Sequence, residues 1–217
     1  MHNMKFLIFR SESATYREYE MEFQKGMTVL DVILFVQQYV DPTLAFRYEC
    51  RQGVCGTCGV TYNGKPVLSC STQIHKSAST QRIGPLENFP IEKDLIVDLS
   101  GVLKRYKKIK PFMEKYHAVL LSKSKANESK GFRRCIECGC CIAGSPTVKK
   151  SGDTIVSPME LVKIARYISD PRDKGEDRRG KAIAKGALTY SRDELQSLSD
   201  ICPRGVSLEK AQEIIRK

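Results

Sequence analysis

The chain has 217 residues, of which 41% are hydrophobic and 28% are charged, a composition typical of a soluble globular protein. Its longest apolar run, residues 32–40, contains two glutamines and is far shorter than the roughly 20 apolar residues of a membrane span, so no transmembrane segment is expected. The net charge of +11 is uneven, because residues 1–100 have a net charge of −1 and residues 101–217 have +12. The N-terminus lacks the residue order of a signal peptide, so a cytoplasmic location is predicted.

The first hundred residues predict a compact α+β domain. Alternating residues at 4–9 and 18–23 predict a strand hairpin. Thr28 is expected to cap a helix that continues to about Val40 and ends at Asp41-Pro42. Further strands are predicted at residues 60–62, 65–68, 81–83 and 95–97, with Asn63-Gly64 as a tight turn between the first two.

A first set of cysteines follows the predicted helix. Nine cysteines is an odd number, and they are clustered, which argues for metal binding rather than a disulfide framework. C-x4-C-x2-C spacing with a fourth cysteine after the hairpin is the plant-type ligand pattern of a [2Fe–2S] cluster. The residues are Cys50, Cys55, Cys58 and Cys70. Gly53, Gly56 and Gly59 are expected to let the loop wrap tightly. Zinc is the alternative, although only one C-x2-C pair is present.

From about Val102 onward the sequence predicts helices. Ser157-Pro158-Met159-Glu160 is a capping box with proline at the first helical position. Ser191 with Glu194 predicts a second capping box, and Ser207 is expected to cap a final helix through Ile215. The polar residues 122–131 are interpreted as a connector. The predicted domains are residues 1–100 and residues 101–217.

A second set of cysteines lies in the helical half. Cys135, Cys138 and Cys141 have C-x2-C-x2-C spacing, the first part of a bacterial ferredoxin run. The next cysteine of that run is replaced by Ser145, so Cys202, which precedes Pro203, is predicted to complete a [4Fe–4S] site. Cys140 is left over and is interpreted as a small buried residue. A zinc site with Cys202 is the alternative.

The residues around both sets resemble the iron–sulfur subunits of succinate dehydrogenase and fumarate reductase. The resembling segments are residues 46–58, 63–70, 85–90, 93–98, 135–146 and 202–206. The resemblance implies a β-grasp plant-type ferredoxin domain followed by an α-helical ferredoxin domain. It also implies docking to a flavoprotein subunit that binds FAD and exchanges electrons with the clusters.

The chain departs from that family where a third cluster would lie. The three cysteines that hold a [3Fe–4S] cluster in the family correspond to Ser145, Arg192 and Leu198, so no [3Fe–4S] cluster is expected. The tryptophan that the family places near its quinone corresponds to Lys150. Electrons are therefore expected to pass between the [4Fe–4S] cluster and another partner. Candidates are a heterodisulfide-reductase-like redox subunit and a modified membrane anchor.

Three functions are consistent with these features. The leading hypothesis is an electron relay that serves a succinate- or fumarate-converting flavoprotein and needs no catalytic acid, base or nucleophile of its own. The second is the same relay serving a flavoprotein with a different substrate. The third is a zinc-stabilised basic module that binds nucleic acid through the Lys/Arg-rich second half, but aromatic residues among those basic residues are few, so no nucleic-acid partner is predicted.

Overall fold

The computed structural model describes residues 3–76, 80–174 and 178–217. Its backbone divides into two compact units, with a boundary after Asp98. The first unit consists of Met1–Asp98 together with Cys138–Ala143, and the second consists of Leu99–Glu137 and Gly144–Lys217. The segment Cys138–Ala143, which the sequence assigned to the second domain, therefore lies in the first unit.

The elements of secondary structure follow the two halves of the sequence. The strands are β1 (Asn3–Arg10), β2 (Thr15–Glu22), β3 (Gly59–Tyr62), β4 (Lys65–Leu68), β5 (Gln81–Gly84), β6 (Ile91–Lys93) and β7 (Ile96–Val97). The helices are α1 (Val29–Phe35), α2 (Ser100–Ile109), α3 (Lys123–Phe132), α4 (Cys140–Ala143), α5 (Pro146–Ser151), α6 (Pro158–Ile168), α7 (Arg178–Ala184), α8 (Arg192–Ile201) and α9 (Leu208–Arg216). In the described part of the chain, no helix has both the length and the apolar character that a bilayer crossing requires.

The first unit is built on a mixed five-stranded sheet with the order β2-β1-β5-β3-β4. β1 pairs antiparallel with β2 along its whole length, which confirms the predicted hairpin. β1 and β5 are parallel, and β3 pairs antiparallel with both β4 and β5. Asn63 and Gly64 both have positive φ, the backbone of the tight turn that was predicted between β3 and β4.

Helix α1 closes the core of the first unit. Thr28 caps the helix as predicted and forms a capping box with Asp31, and a π-helical turn (Val36–Val40) extends the helix to the predicted end. The apolar side of the helix packs with the alternating inward side chains of the strands. The core residues are Met4, Phe6, Ile8, Tyr19, Met21, Val29, Val32, Ile33, Val36, Leu44, Val60, Ile74, Ile83 and Leu95.

One buried guanidinium ties the start of the cysteine loop to the sheet. Arg10 at the end of β1 is 2% exposed and donates to both Asp41 and Asp94. Asp41 also accepts from the hydroxyls of Thr43 and Tyr19. The Thr43 hydroxyl, followed by the Tyr19 hydroxyl, the Thr43 amide and the Arg10 charge, outweighs burial and lowers the pKa of Asp41 to about 2. Because a buried charge without a partner is costly, this network fixes the chain direction just before the cysteines.

The second unit is organised around helix α6. Its residues from Pro158 to Ala165 are all buried, and it packs with α2, α3, α7 and α9. Ser157 and Glu160 form the predicted capping box at its N-terminus. The polar segment that was predicted as a connector is instead the helix α3, so that prediction was wrong. The reason is tertiary packing: Ser129 and Phe132 of α3 are buried, and the helix lies against α6.

Candidate metal centres

The first cysteine loop begins just after the hydrogen-bond network of Arg10 and ends at β3. Cys58 is buried immediately before β3, and its carbonyl accepts from the amide of Ser69 at 3.0 Å. That bond places Cys58 beside Cys70, which directly follows Ser69. Cys55 is exposed, while Cys50 and Cys70 are half-buried. All four predicted ligands of this set therefore belong to the first unit.

The four thiols of this loop form two pairs. The Cys50 thiol is within hydrogen-bond reach of Cys55, and the Cys70 thiol is within reach of Cys58. The amide of Gln52 donates to Cys50 Sγ at 3.4 Å, and this bond, with those from Val54 and Cys55, lowers the pKa of the Cys50 thiol to about 6. Burial, followed by the bond with Cys58, raises the pKa of Cys70 to about 11. Four thiols from one loop and one hairpin have the number and kind of ligands that a [2Fe–2S] cluster needs.

The glycines of the loop have two different roles. Gly53 and Gly56 have positive φ, as the predicted wrapping of the loop requires. Gly59 has no such backbone angle. Instead, a Cβ there would lie 2.9 Å from Leu86 Cδ1 and 3.0 Å from the carbonyl oxygen of Cys138. Gly59 is thus required because another part of the backbone approaches it, a role that its position in the sequence did not reveal.

The approach to Gly59 is made by the segment Cys138–Ala143. Gly139 has a φ of +79°, and a Cβ at this residue would meet Phe89 Cζ at 3.1 Å. The side-chain amide of Asn88 donates to the carbonyls of Ile142 at 2.8 Å and Ala143 at 3.2 Å. Three residues of the first unit, Gly59, Phe89 and Asn88, therefore hold this segment against it. Asn88 and Phe89 belong to the segment that was quoted for the family resemblance, but nothing in their spacing indicated this contact.

Two predicted ligands of the second set, Cys138 and Cys141, lie in this segment. A hydrogen bond with the neighbouring Cys140 thiol is the main cause that lowers the pKa of Cys138 to about 7, against the opposing effect of burial. Cys140 itself is fully buried in α4. Cys138 and Cys141 are half-buried. Cys140, which was not assigned to either set, is therefore buried next to a predicted ligand.

The other two predicted ligands, Cys135 and Cys202, lie in the second unit. Arg134, which precedes Cys135, has its guanidinium 3.8 Å from the Cβ position of Gly205, three residues after Cys202. The amide of Val206 donates to Cys202 Sγ at 3.4 Å. Nε of Arg204 is buried and has no hydrogen-bond partner in the described residues. A donor to the Cys202 sulfur and an unsatisfied buried N–H close to it in the chain suit an anionic group bound through Cys202.

In the residues that the structure describes, no three side chains of His, Cys, Asp or Glu are grouped so as to hold a single metal ion. The close thiols in that part of the chain occur as pairs, in the first loop and at Cys138 and Cys140. The joining of Cys135 and Cys202 with Cys138 and Cys141 around one cluster stays a prediction.

Two of the three positions at which the family holds its third cluster, Ser145 and Leu198, are buried, whereas Arg192 is exposed. Ser145 is 1% exposed, accepts from the amide of Val148 and donates to Glu194 at 2.7 Å. Glu194 also accepts from the amide and the hydroxyl of Thr147. Leu198 is buried in the core of the second unit. Ser191 caps α8 by accepting from the Glu194 amide, as predicted, but the Glu194 side chain bonds to Ser145 and Thr147.

Known proteins provide an independent view of these sites. The profile of a family described as "2Fe-2S iron-sulfur cluster binding domain" matches residues 5–104. A mitochondrial succinate dehydrogenase [ubiquinone] iron-sulfur subunit 1 of Oryza sativa subsp. japonica is 30% identical over 209 residues, which cover 93% of this chain and 74% of the relative. The corresponding subunit of Dictyostelium discoideum is 30% identical over 230 residues, covering 97% and 80%.

The fold has a counterpart among solved structures. A chain of the Mycobacterium smegmatis Sdh1 complex in the apo form superposes with a TM-score of 0.87 at 23% identity, covering 99% of this chain and 94% of that chain. The N-terminal unit is ferredoxin-like, and the whole chain has the mixed helix-and-sheet fold of that subunit. The relationship suggested by the motifs around the cysteines is thereby confirmed. The chain belongs to the family of succinate dehydrogenase and fumarate reductase iron–sulfur subunits.

Proposed function

We propose that this chain relays electrons between a flavoprotein that binds FAD and a second redox partner. In this proposal a [2Fe–2S] cluster is held by the first set of cysteines and a [4Fe–4S] cluster by the second. The first set is Cys50, Cys55, Cys58 and Cys70, and the second is Cys135, Cys138, Cys141 and Cys202. The proposal assigns the two predicted domains, residues 1–100 and 101–217, to a β-grasp ferredoxin fold and an α-helical ferredoxin fold.

The observation that supports a relay best is the backbone contact between Gly59 and Cys138. Gly59 directly follows Cys58, a ligand of the first predicted cluster, and Cys138 is a ligand of the second. The Cβ position of Gly59 is 3.0 Å from the Cys138 carbonyl oxygen. One ligand from each set is therefore connected through a single residue and one van der Waals contact. Such closeness is what successive electron carriers require.

The chain's own residues supply surroundings rather than acid–base chemistry. Iron–sulfur clusters accept and release single electrons, at potentials set by cluster type, net charge, hydrogen bonds to sulfur and solvent exposure. The amides of Gln52 and Val206 donate to ligand sulfurs, which stabilises the reduced, more negative state. Burial of Cys58 keeps water away from one side of the first site. No general acid, base or nucleophile is needed from this chain.

We further propose that the chain has no [3Fe–4S] cluster. A hydroxyl, a guanidinium and an isobutyl group at Ser145, Arg192 and Leu198 are poor ligands for iron, which prefers thiolates in such clusters. The bonds from Ser145 and Thr147 to Glu194 occupy the polar groups of that region. Electrons would then enter or leave at the [4Fe–4S] cluster.

The partners follow from the named relatives. Succinate dehydrogenase complexes imply a flavoprotein subunit and a membrane anchor, so this chain is proposed to be peripheral to the membrane. The cytoplasmic face is proposed as its side. The flavoprotein substrate is proposed to be succinate or fumarate. Because Lys150 replaces the tryptophan expected near a quinone, the second partner is proposed to be a modified anchor or a heterodisulfide-reductase-like subunit.

Metal analysis and EPR of anaerobically purified protein test the cluster assignment. We expect about six irons and about six acid-labile sulfides per chain, with reduced-state EPR signals of one [2Fe–2S] and one [4Fe–4S] cluster. Zinc without iron would overturn the proposal. An oxidised-state [3Fe–4S] signal that persists after every second-set cysteine is replaced singly would overturn the absence of a third cluster.

The partner assignment has a separate test. The chain is purified with its bound flavoprotein, and fumarate reduction is assayed with a reduced dye as electron donor. Activity with fumarate supports the proposed substrate. A flavinated, dye-reducible partner that leaves fumarate unchanged would overturn it.

A further inference from the structure

Lys163 of α6 is a buried cation that pairs with a carboxylate of the same unit. It is 7% exposed, on a helix whose neighbouring positions are apolar. Its Nζ forms an ion pair with Glu137 and lies 5.9 Å from the centroid of the Tyr106 ring. Because a buried ammonium without a partner is strongly destabilising, the position of Glu137 is closely coupled to that of Lys163.

Glu137 occupies an unusual place in the chain. It lies between Cys135 and Cys138, two predicted ligands of the [4Fe–4S] cluster. Its φ is +59°, a left-handed conformation that residues other than glycine seldom adopt. Such a backbone persists only where surrounding contacts enforce it. The ion pair with Lys163 is a contact of that kind.

The two charged side chains of the pair differ in their exposure to solvent. The Glu137 side chain is 44% exposed, whereas that of Lys163 is 9% exposed. Solvent screens the exposed carboxylate more than the buried ammonium. A cluster bound nearby would therefore experience a net positive influence from the pair, and a nearby positive charge favours the reduced state of an iron–sulfur cluster.

We propose that Lys163 is a positioning residue for the [4Fe–4S] cluster. Through Glu137 it holds the segment between Cys135 and Cys138, and its buried charge raises the cluster's reduction potential. This inference rests on the proposed function, because it requires a cluster at the second cysteine set.

EPR-monitored redox titration of the complete chain tests the electrostatic part. Lys163→Met is expected to make reduction about tenfold less favourable at a given potential, which corresponds to a downward shift of about 59 mV for one electron. Glu137→Gln is expected to shift the potential upward by a smaller amount, since that carboxylate is more exposed. The double variant Glu137→Gln/Lys163→Met is expected to titrate closer to the unmodified protein than Lys163→Met does.

The matched control is Arg105→Met. Arg105 on α2 also pairs with α6, through Glu160 at 3.3 Å, but neither residue lies in the ligand segment. We expect this variant to change the reduction equilibrium of the four-iron cluster by less than threefold at a given potential and to keep about six irons. If Lys163→Met loses the four-iron cluster while Arg105→Met keeps it, the positioning role is supported, and Glu137→Gln then decides the electrostatic part.

Two results would overturn the inference. One is a Lys163→Met protein that holds its full iron content and whose four-iron cluster has a reduction equilibrium within threefold of that of the unmodified protein. The other is equal loss of the cluster in Lys163→Met and Arg105→Met, which would indicate general damage to helix packing. Neither result affects the proposed function, which fails only if the unmodified protein shows no [4Fe–4S] signal.

Discussion

Three of the four candidate ligands in the first cysteine set lie within the nine residues from Cys50 to Cys58, and the fourth follows one hairpin. The second set draws Cys138 and Cys141 from a segment held by the first unit, and Cys135 and Cys202 from the second unit. The first site is therefore local, formed by one loop on one sheet. The second set is spread along the chain from Cys135 to Cys202. The difference predicts unequal sensitivity to mutation, and five experiments test it.

Removal of one ligand from each set should have the largest effect. Cys202→Ser is expected to reduce the iron content from about six to about two, because the four-iron cluster loses its only ligand from the C-terminal region. Cys58→Ser is expected to leave about four. Iron analysis and EPR measure both. Loss of the two-iron signal in Cys202→Ser would show that the first site is not independent of the second.

Replacement of Arg10 tests how far the first site depends on the buried network that precedes the cysteine loop. Arg10→Met leaves the buried Asp94 without its cation and leaves Asp41 with the exposed Arg17 as its remaining ion-pair partner among the described residues. This should lower the free energy of unfolding by about 3–5 kcal/mol. Denaturant unfolding measures the loss. The matched control is Arg47→Met, which removes an exposed pair with Glu92 and should cost less than about 1 kcal/mol. Equal losses in the two variants would contradict the role of the buried network.

The same network predicts a pH dependence. The folded-state pKa of Asp41 is about 2, below its ordinary value of 3.8, so folding favours the ionised form. The stabilisation from this group is fully present above about pH 4 and is lost as the pH falls toward 2. The stability of the unmodified protein should therefore decrease across this window. Asp41→Asn should have a lower free energy of unfolding at pH 7, and its stability should change less as the pH falls from about 4 toward 2.

Gly59→Ala tests the contact that joins the two sets. The added methyl group would overlap Leu86 and the Cys138 carbonyl, and the backbone atom cannot rotate away. We expect a destabilisation of about 1–3 kcal/mol and slower electron transfer between the clusters. Rapid mixing with a reductant and freeze-quench EPR measure the rate of transfer. Gly131→Ala, where nothing lies within 4 Å of the new Cβ, should be neutral or slightly stabilising. Unchanged transfer in a destabilised Gly59→Ala protein would exclude this contact from the electron path.

The smallest effect is expected around Ser145, where we propose that the third cluster of the family is missing. Glu194→Gln replaces a carboxylate that accepts from Ser145 and Thr147, and it should cost about 1 kcal/mol without changing the iron content. Ser191→Ala, which removes the cap of α8 but keeps Glu194, should cost a similar amount. Thermal unfolding with iron analysis checks both variants. Loss of iron in Glu194→Gln alone would mean that this network supports a metal site.

Much of the fold could be predicted from short-range signals. The Asn63-Gly64 turn and the capping boxes at Thr28 and Ser157 are each complete within a few residues, and the structure contains all three. The helix α3 was missed because its residues are polar, and its stability comes from packing of Phe132 and Ser129 rather than from a local pattern. The side chain of Glu194 was misassigned for the same reason, since its partners are some 50 residues away in the chain.

The sequence by itself was enough to predict which eight thiols bind iron, because the spacing of the cysteines is a local property that needs no structure to be recognised. It also determined the family, through the residues beside those cysteines. Only the folded chain revealed that Cys138 lies against Gly59 and that Lys163 is buried against Glu137. These contacts join residues far apart in sequence, and their free energy depends on burial and close packing, which no local pattern encodes.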